Sequence, residues 1–158
     1  SLSSLFSCIF SGCSSLSELH CNSLFCDAQK LGRDFVSHLK LAKNLAILRI
    51  QQKQLSLWLE QLLVEVSSCQ QMQQLVLIDP SKANLASTGM PQRKLREAVE
   101  NLPHLSFVHI GSPLFTTASL KKTLTDMRAI KKERRKQLVC SFHLPSKLLP
   151  IKWEQVHL

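Results

Sequence analysis

The stretch Phe35-Val-Ser-His-Leu39-Lys-Leu-Ala42-Lys-Asn-Leu45-Ala-Ile-Leu48-Arg-Ile50 decides the fold. Its apolar residues Phe35, Leu39, Ala42, Leu45, Leu48 and Ile50 follow steps of 4, 3, 3, 3 and 2. The same six-position ladder runs through Phe6, Phe10, Cys13, Leu16, Leu19 and Cys21. It returns as Leu62, Val66, Cys69, Met72, Leu75 and Leu77, and again as Leu95, Val99, Leu102, Leu105, Val108 and Ile110. Leu16, Leu45, Met72 and Leu105 mark one register, spaced by 29, 27 and 33 residues. Steps of 4, 3 and 3 keep apolar residues on one helix face, and a step of 2 is strand alternation. Each copy is therefore expected to be an amphipathic helix that turns into a short strand. Pro91 suits a first helical turn, Pro103 enforces the break before the fourth strand, and Gly111-Ser112-Pro113 ends that strand.

One helix and one strand cannot bury their own apolar faces. Stacking such units builds a continuous core, with a parallel sheet on one side and helices on the other. The segments Leu45-Ala-Ile-Leu-Arg-Ile50, Met72-Gln-Gln-Leu-Val-Leu77 and Leu105-Ser-Phe-Val-His-Ile110 resemble the L-x-x-L-x-L signature of leucine-rich repeats. The full helix and the small residue before the strand (Cys13, Ala42, Cys69) resemble the ribonuclease-inhibitor subtype, also found in F-box/LRR proteins and NOD-like receptors. The resemblance implies an α/β horseshoe solenoid, with strands on its concave face and helices on its convex face. It spans residues 1–127. The residue at the usual post-strand Asn or Cys position is Lys53 in the second copy, and Asp79 to Gly89 is an insertion. The competing reading is a non-repetitive α/β domain.

The chain has 158 residues, enough for one domain. Residues 1–127 read as about four repeats of a longer array, because Ser1 falls mid-repeat. Residues 128–158 read as a basic helix end and a C-terminal capping segment, in which Leu138, Cys140 and Phe142 alternate like one more strand. No apolar run reaches the roughly 18 residues of a membrane span. Three of the six cysteines, Cys13, Cys21 and Cys69, hold ladder positions, so free thiols and a reducing compartment, cytoplasmic or nuclear, are expected.

Strand residues between ladder positions point to the concave face. Ile47, Arg49, Gln51, Gln74, Val76, Ile78, Phe107 and His109 are the expected partner-binding set. Ile47, Val76, Ile78 and Phe107 form an apolar patch, and Phe107 and Arg49 are its anchors. The alternative is that loop 79–90 or the C-terminal tail covers that patch. A second candidate is the basic run of Lys121, Lys122, Lys131, Lys132, Arg134, Arg135 and Lys136. With Arg128, it sets eight cations between residues 121 and 136 against Asp126 and Glu133. That run reads as a solvated helix end, a nuclear-import or acidic-partner element, or a nucleic-acid contact. The absence of interleaved aromatics argues against the last.

Catalytic motifs are missing: there is no G-x-S-x-G, P-loop or H-E-x-x-H, and four glycines are too few for a phosphate cradle. Cys8, Cys13, His20, Cys21 and Cys26 do not match zinc spacing. The expectation is a non-catalytic protein-interaction module without cofactor, metal or small-molecule substrate. The resemblance implies a substrate-recognition role in a ubiquitin-ligase adaptor or, alternatively, a NOD-like receptor sensor. A nuclear or nucleic-acid-associated protein acting through residues 121–136 is the contrasting reading.

Overall fold

The computed structural model describes residues 2–13, 15–22, 28–81, 90–112, 114, 117–134, 138–144 and 152–157. The fold is α/β. Helices α1 (Leu2–Gly12), α2 (Ala28–His38), α3 (Leu59–Val66), α4 (Met90–Asn101) and α5 (Thr117–Arg134) alternate along the chain with five strands. These strands are β1 (Glu18–Asn22), β2 (Ile47–Gln51), β3 (Gln74–Ile78), β4 (Phe107–Gly111) and β5 (Val139–Leu144), and β6 (Lys152–His157) follows them. All six form one sheet in sequence order. β1 to β5 are parallel, and β6 runs antiparallel to β5.

The sheet register is the ladder register. Leu19, Leu48, Leu75, Val108 and Cys140 pair in one row, and Cys21, Ile50, Leu77, Ile110 and Phe142 in another. Turn bonds repeat as regularly. The N–H groups of Leu16, Leu45, Met72 and Leu105 donate to the carbonyls of Cys13, Ala42, Cys69 and Leu102. The carbonyl of Ser17 then accepts from Ala46 and Ile47, that of Ala46 from Gln73 and Gln74, and that of Gln73 from Ser106 and Phe107. Apolar spacing has thus specified matched backbone geometry, because only one turn brings both helix face and strand face to a shared core. The small residue at the helix–strand turn has a local reason in the third copy, where the Cys69 thiol donates to the Leu39 carbonyl at 3.6 Å.

Ladder residues of the second, third and fourth copies are at most 5% exposed. Full burial of such a side chain contributes about 1.5–3 kcal/mol. Trp58 extends this core beyond the ladder, with its ring 6.3 Å from that of Phe35. Phe35 in turn lies 5.4 Å from Phe6 and 5.5 Å from Phe10, both edge-on. The first copy departs from the expectation. Cys13 is exposed, and Leu16, Leu19 and Cys21 are only half-buried. Among the described residues, this copy's strand pairs on one side only, with β2.

The repeat boundary expected near Met127 falls inside α5, which runs unbroken to Arg134. Thr123, Met127 and Ile130 are its buried face. The alternation at Leu138, Cys140 and Phe142 does become a strand, and β5 continues the parallel sheet.

Candidate protein-interaction face

The parallel register arranges the strand residues that alternate with the ladder positions into three rows. Glu18, Ile47, Gln74, Phe107 and Val139 make the first. His20, Arg49, Val76, His109 and Ser141 make the second, and Asn22, Gln51, Ile78, Gly111 and His143 the third. Arg49 and Gln51 are exposed, while Ile47, Gln74, Val76, Ile78 and Phe107 are half-buried. This is the face opposite the ladder core.

Val76 and Ile78 are neighbours along β3, and Phe107 lies diagonally across from Val76. Ile47 stands apart from Phe107, because Gln74 occupies the place between them in their row. Neighbouring strands are roughly 4.8 Å apart, which puts these two side chains about 10 Å from each other. Gln74 is also engaged, its Oε1 accepting from Arg49 Nη2 at 3.3 Å. The apolar patch is therefore centred on Val76, with Ile78 along β3 and with Ile47 and Phe107 each diagonal to Val76, on either side of Gln74. His109 departs from the expected set: it is 5% exposed and presents almost no surface.

At the C-terminal end of the strands lies a polar row the ladder did not reveal. Gln52, Asp79 and Ser112, each two residues beyond the last ladder position, are all buried. Asp79 Oδ1 accepts the N–H groups of Gln54 (3.1 Å) and Ser81 (2.9 Å), and Oδ2 accepts that of Ser56 (2.9 Å). The hydroxyls of Ser56 and Ser112 bond at 2.7 Å, and Ser112 Oγ also accepts from Leu114 N–H. Asp79 thus fixes the turn after β2, where Gln54 adopts a left-handed φ of 63°. Reading one residue past the strand, at the same offset in each copy, would have found this row. The leucine-rich-repeat offset pointed instead to Lys53.

No protein-family model, curated protein or solved structure matches this chain. The functional reading therefore rests on the residues themselves.

The described cations of α4 and of the basic run on α5 differ in their pairing. On α4 the cations are paired: Arg93 and Lys94 with Glu97 at 3.1 and 3.0 Å, and Arg96 with Glu100 at 3.1 Å. Hydrogen bonds from Lys94 and then Arg93 hold the Glu97 carboxyl below its ordinary range. Arg96 also reaches Asp126 of α5 at 3.9 Å. On α5, Lys122, Arg128 and Lys132 are exposed, and none has a carboxylate within 4.0 Å among the described residues. Arg135 and Lys136 lie outside the described residues, as do the side chains of Lys121, Lys131 and Arg134.

Among the described residues, Cys8, Cys13, Cys21 and Cys69 are free thiols. No group of three or more His, Cys, Asp or Glu gathers there at metal-binding reach. Cys26 lies outside those residues. No described helix is long and apolar enough to cross a membrane.

Proposed function

We propose that this chain is a leucine-rich-repeat solenoid acting as a non-catalytic protein-interaction module, with a protein partner held on its strand face. The observation that carries this reading is the cluster of Val76, Ile78 and Phe107. These are apolar side chains left part-exposed on the side of the sheet away from the core, beside the exposed Arg49. Apolar surface flanked by Arg is the composition of binding hot spots. The parallel strands in sequence order and the matched turn bonds support the repeat assignment. In an adaptor of the F-box/LRR type, this face would hold the substrate delivered to a ubiquitin ligase. In a NOD-like receptor it would serve as a sensor surface.

The test is affinity capture with Phe107→Asp, Ile78→Asp and Arg49→Ala, each checked for an unchanged melting curve. Loss of a hot-spot contact weakens binding by at least about 30-fold. Capture that survives both aspartates in folded protein would overturn the reading.

A second reading rests on Lys122, Arg128 and Lys132, exposed cations with no carboxylate neighbour in the described residues. They suit an acidic partner, a nuclear-import receptor or nucleic acid. Retention on DNA or RNA that falls steeply with salt would favour nucleic acid. Neutralising all three without effect on any partner would remove this reading.

A further inference from the structure

Charge is set unevenly across the strand face. Three rows over the four strands β1 to β4 make twelve positions, and Glu18 is the one carboxylate among them. Its Oε2 lies 3.7 Å from His20 Nε2. Arg49, the one Lys or Arg of the twelve, stands between His20 and Val76 in its row and is exposed. Exposure falls along that row, from His20 and Arg49 to half-buried Val76 and buried His109. The open part of the row is therefore at β1 and β2.

No carboxylate comes within 4.0 Å of the Arg49 guanidinium among the described residues. Its Nη2 donates to Gln74 Oε1 at 3.3 Å, which uses one of the five N–H donors of an arginine and fixes the direction of the planar head. Apolar side chains adjoin it: Ile47 two residues earlier on β2, Val76 beside it and Ile78 diagonally across, all half-buried. A guanidinium in this setting loses water when a partner covers it. It then gains most from a carboxylate, which its fork meets with two parallel bonds, and it penalises a cationic group.

We propose that the partner on this face is a protein segment carrying an Asp or Glu close to an apolar side chain. Arg49 takes the carboxylate, and the apolar side chain seats on Val76, among Ile47, Ile78 and Phe107. The proposal rests on the strand-face reading above and gives its partner a chemistry. Neighbouring strands are about 4.8 Å apart and alternate residues of an extended chain about 6.6 Å, so the two groups fall within about four residues of each other.

Charge complementarity selects this occupant over others. Nucleic acid presents a phosphate about every 3.4 Å of strand and needs cations in series, whereas the twelve positions supply one permanent cation. Phosphorylated segments are read by clusters of arginines, and a lone guanidinium matches a lone carboxylate. A second copy of the chain would bring a net +9 against +9, on a face whose single carboxylate already lies beside His20. The same net charge draws an acidic segment toward the molecule.

Selection of a phage-displayed random peptide library on the whole chain, at about 0.15 M salt, tests this. Enriched peptides should pair Asp or Glu with an aromatic or branched side chain within about four positions, and should fail on folded Phe107→Asp. A parallel selection on Arg49→Glu should put Lys or Arg in the acidic place. By fluorescence anisotropy, replacing the acid of a selected peptide with Ala should weaken binding about tenfold on the native chain and less than about twofold on Arg49→Gln, a variant that also serves if the reversal disturbs folding. Peptides that fail on Phe107→Asp but show no acidic preference and bind Arg49→Glu equally well overturn this proposal and leave the interaction face standing. Peptides indifferent to both variants, or a selection that enriches no sequence, overturn both. Self-association abolished by Phe107→Asp would assign the face to a second copy. A single-stranded oligonucleotide that displaces the peptide and fails on Arg49→Glu would assign it to nucleic acid. Either result overturns the proposal.

Discussion

Asp79→Ala removes a single side chain that holds three backbone N–H groups, and its cost can be worked from the geometry. The Ser56 N–H, at 2.9 Å from Oδ2, belongs to a residue only 7% exposed, so water cannot readily replace the carboxylate. A lost charge-assisted bond at such a donor costs about 1.5–3 kcal/mol. The exposed Gln54 N–H also donates to Ser81 Oγ at 3.0 Å and the half-buried Ser81 N–H can rehydrate, so each of these losses is worth at most about 0.5 kcal/mol. The total is about 3 kcal/mol, a large share of the 5–15 kcal/mol that typically stabilises a domain. In a chain of this length that corresponds to a fall in melting temperature of roughly 6–12 °C.

Asp79→Asn separates charge from geometry. Its amide oxygen can keep Gln54 and Ser81, but its NH2 then faces the Ser56 N–H, donor against donor. It should therefore lose at least half of what alanine loses. Urea denaturation at neutral pH, read by the Trp58 signal, measures both. The midpoint should shift while the slope with denaturant holds. A cost below about 0.5 kcal/mol for alanine, or an asparagine variant as stable as the native chain, would refute Asp79 as the clasp of this turn.

Other changes are equally specific. Gly32→Ala should destabilise by about 1–3 kcal/mol and alter Trp58 fluorescence, because a methyl there would lie 2.6 Å from the indole nitrogen; an unchanged melting curve would contradict the packing. Burial raises the Cys69 thiol from 9.0 to about 11. The unfolded thiol ionises first as pH rises. Stability from this group is thus whole below about 9 and declines toward 11, by roughly 1–3 kcal/mol. Cys69→Ala should abolish that component of the alkaline slope, and an identical slope would refute it. In native protein a thiol reagent should label exposed Cys8 and Cys13 quickly and Cys69 only on unfolding, which mass spectrometry of timed samples checks.

The ladder made the architecture legible because in the second, third and fourth copies all six of its positions are buried, and register follows from burial. Every residue pair from Leu19–Leu48 to Leu77–Ile110 could be read from sequence spacing. The same spacing is silent about what lies outside a copy. Cys13 and Leu19 carry the ladder pattern, yet their exposure depends on a neighbour that only topology specifies. His109 has the alternation of a surface residue, and its burial is a tertiary property of the sheet. Asp79 escaped notice because one polar residue in a turn has no periodicity. Its role became visible only when Gln52, Asp79 and Ser112 aligned across strands. The place of Gln74 between Ile47 and Phe107 was available from the ladder offsets, since the three occupy equivalent positions in their copies.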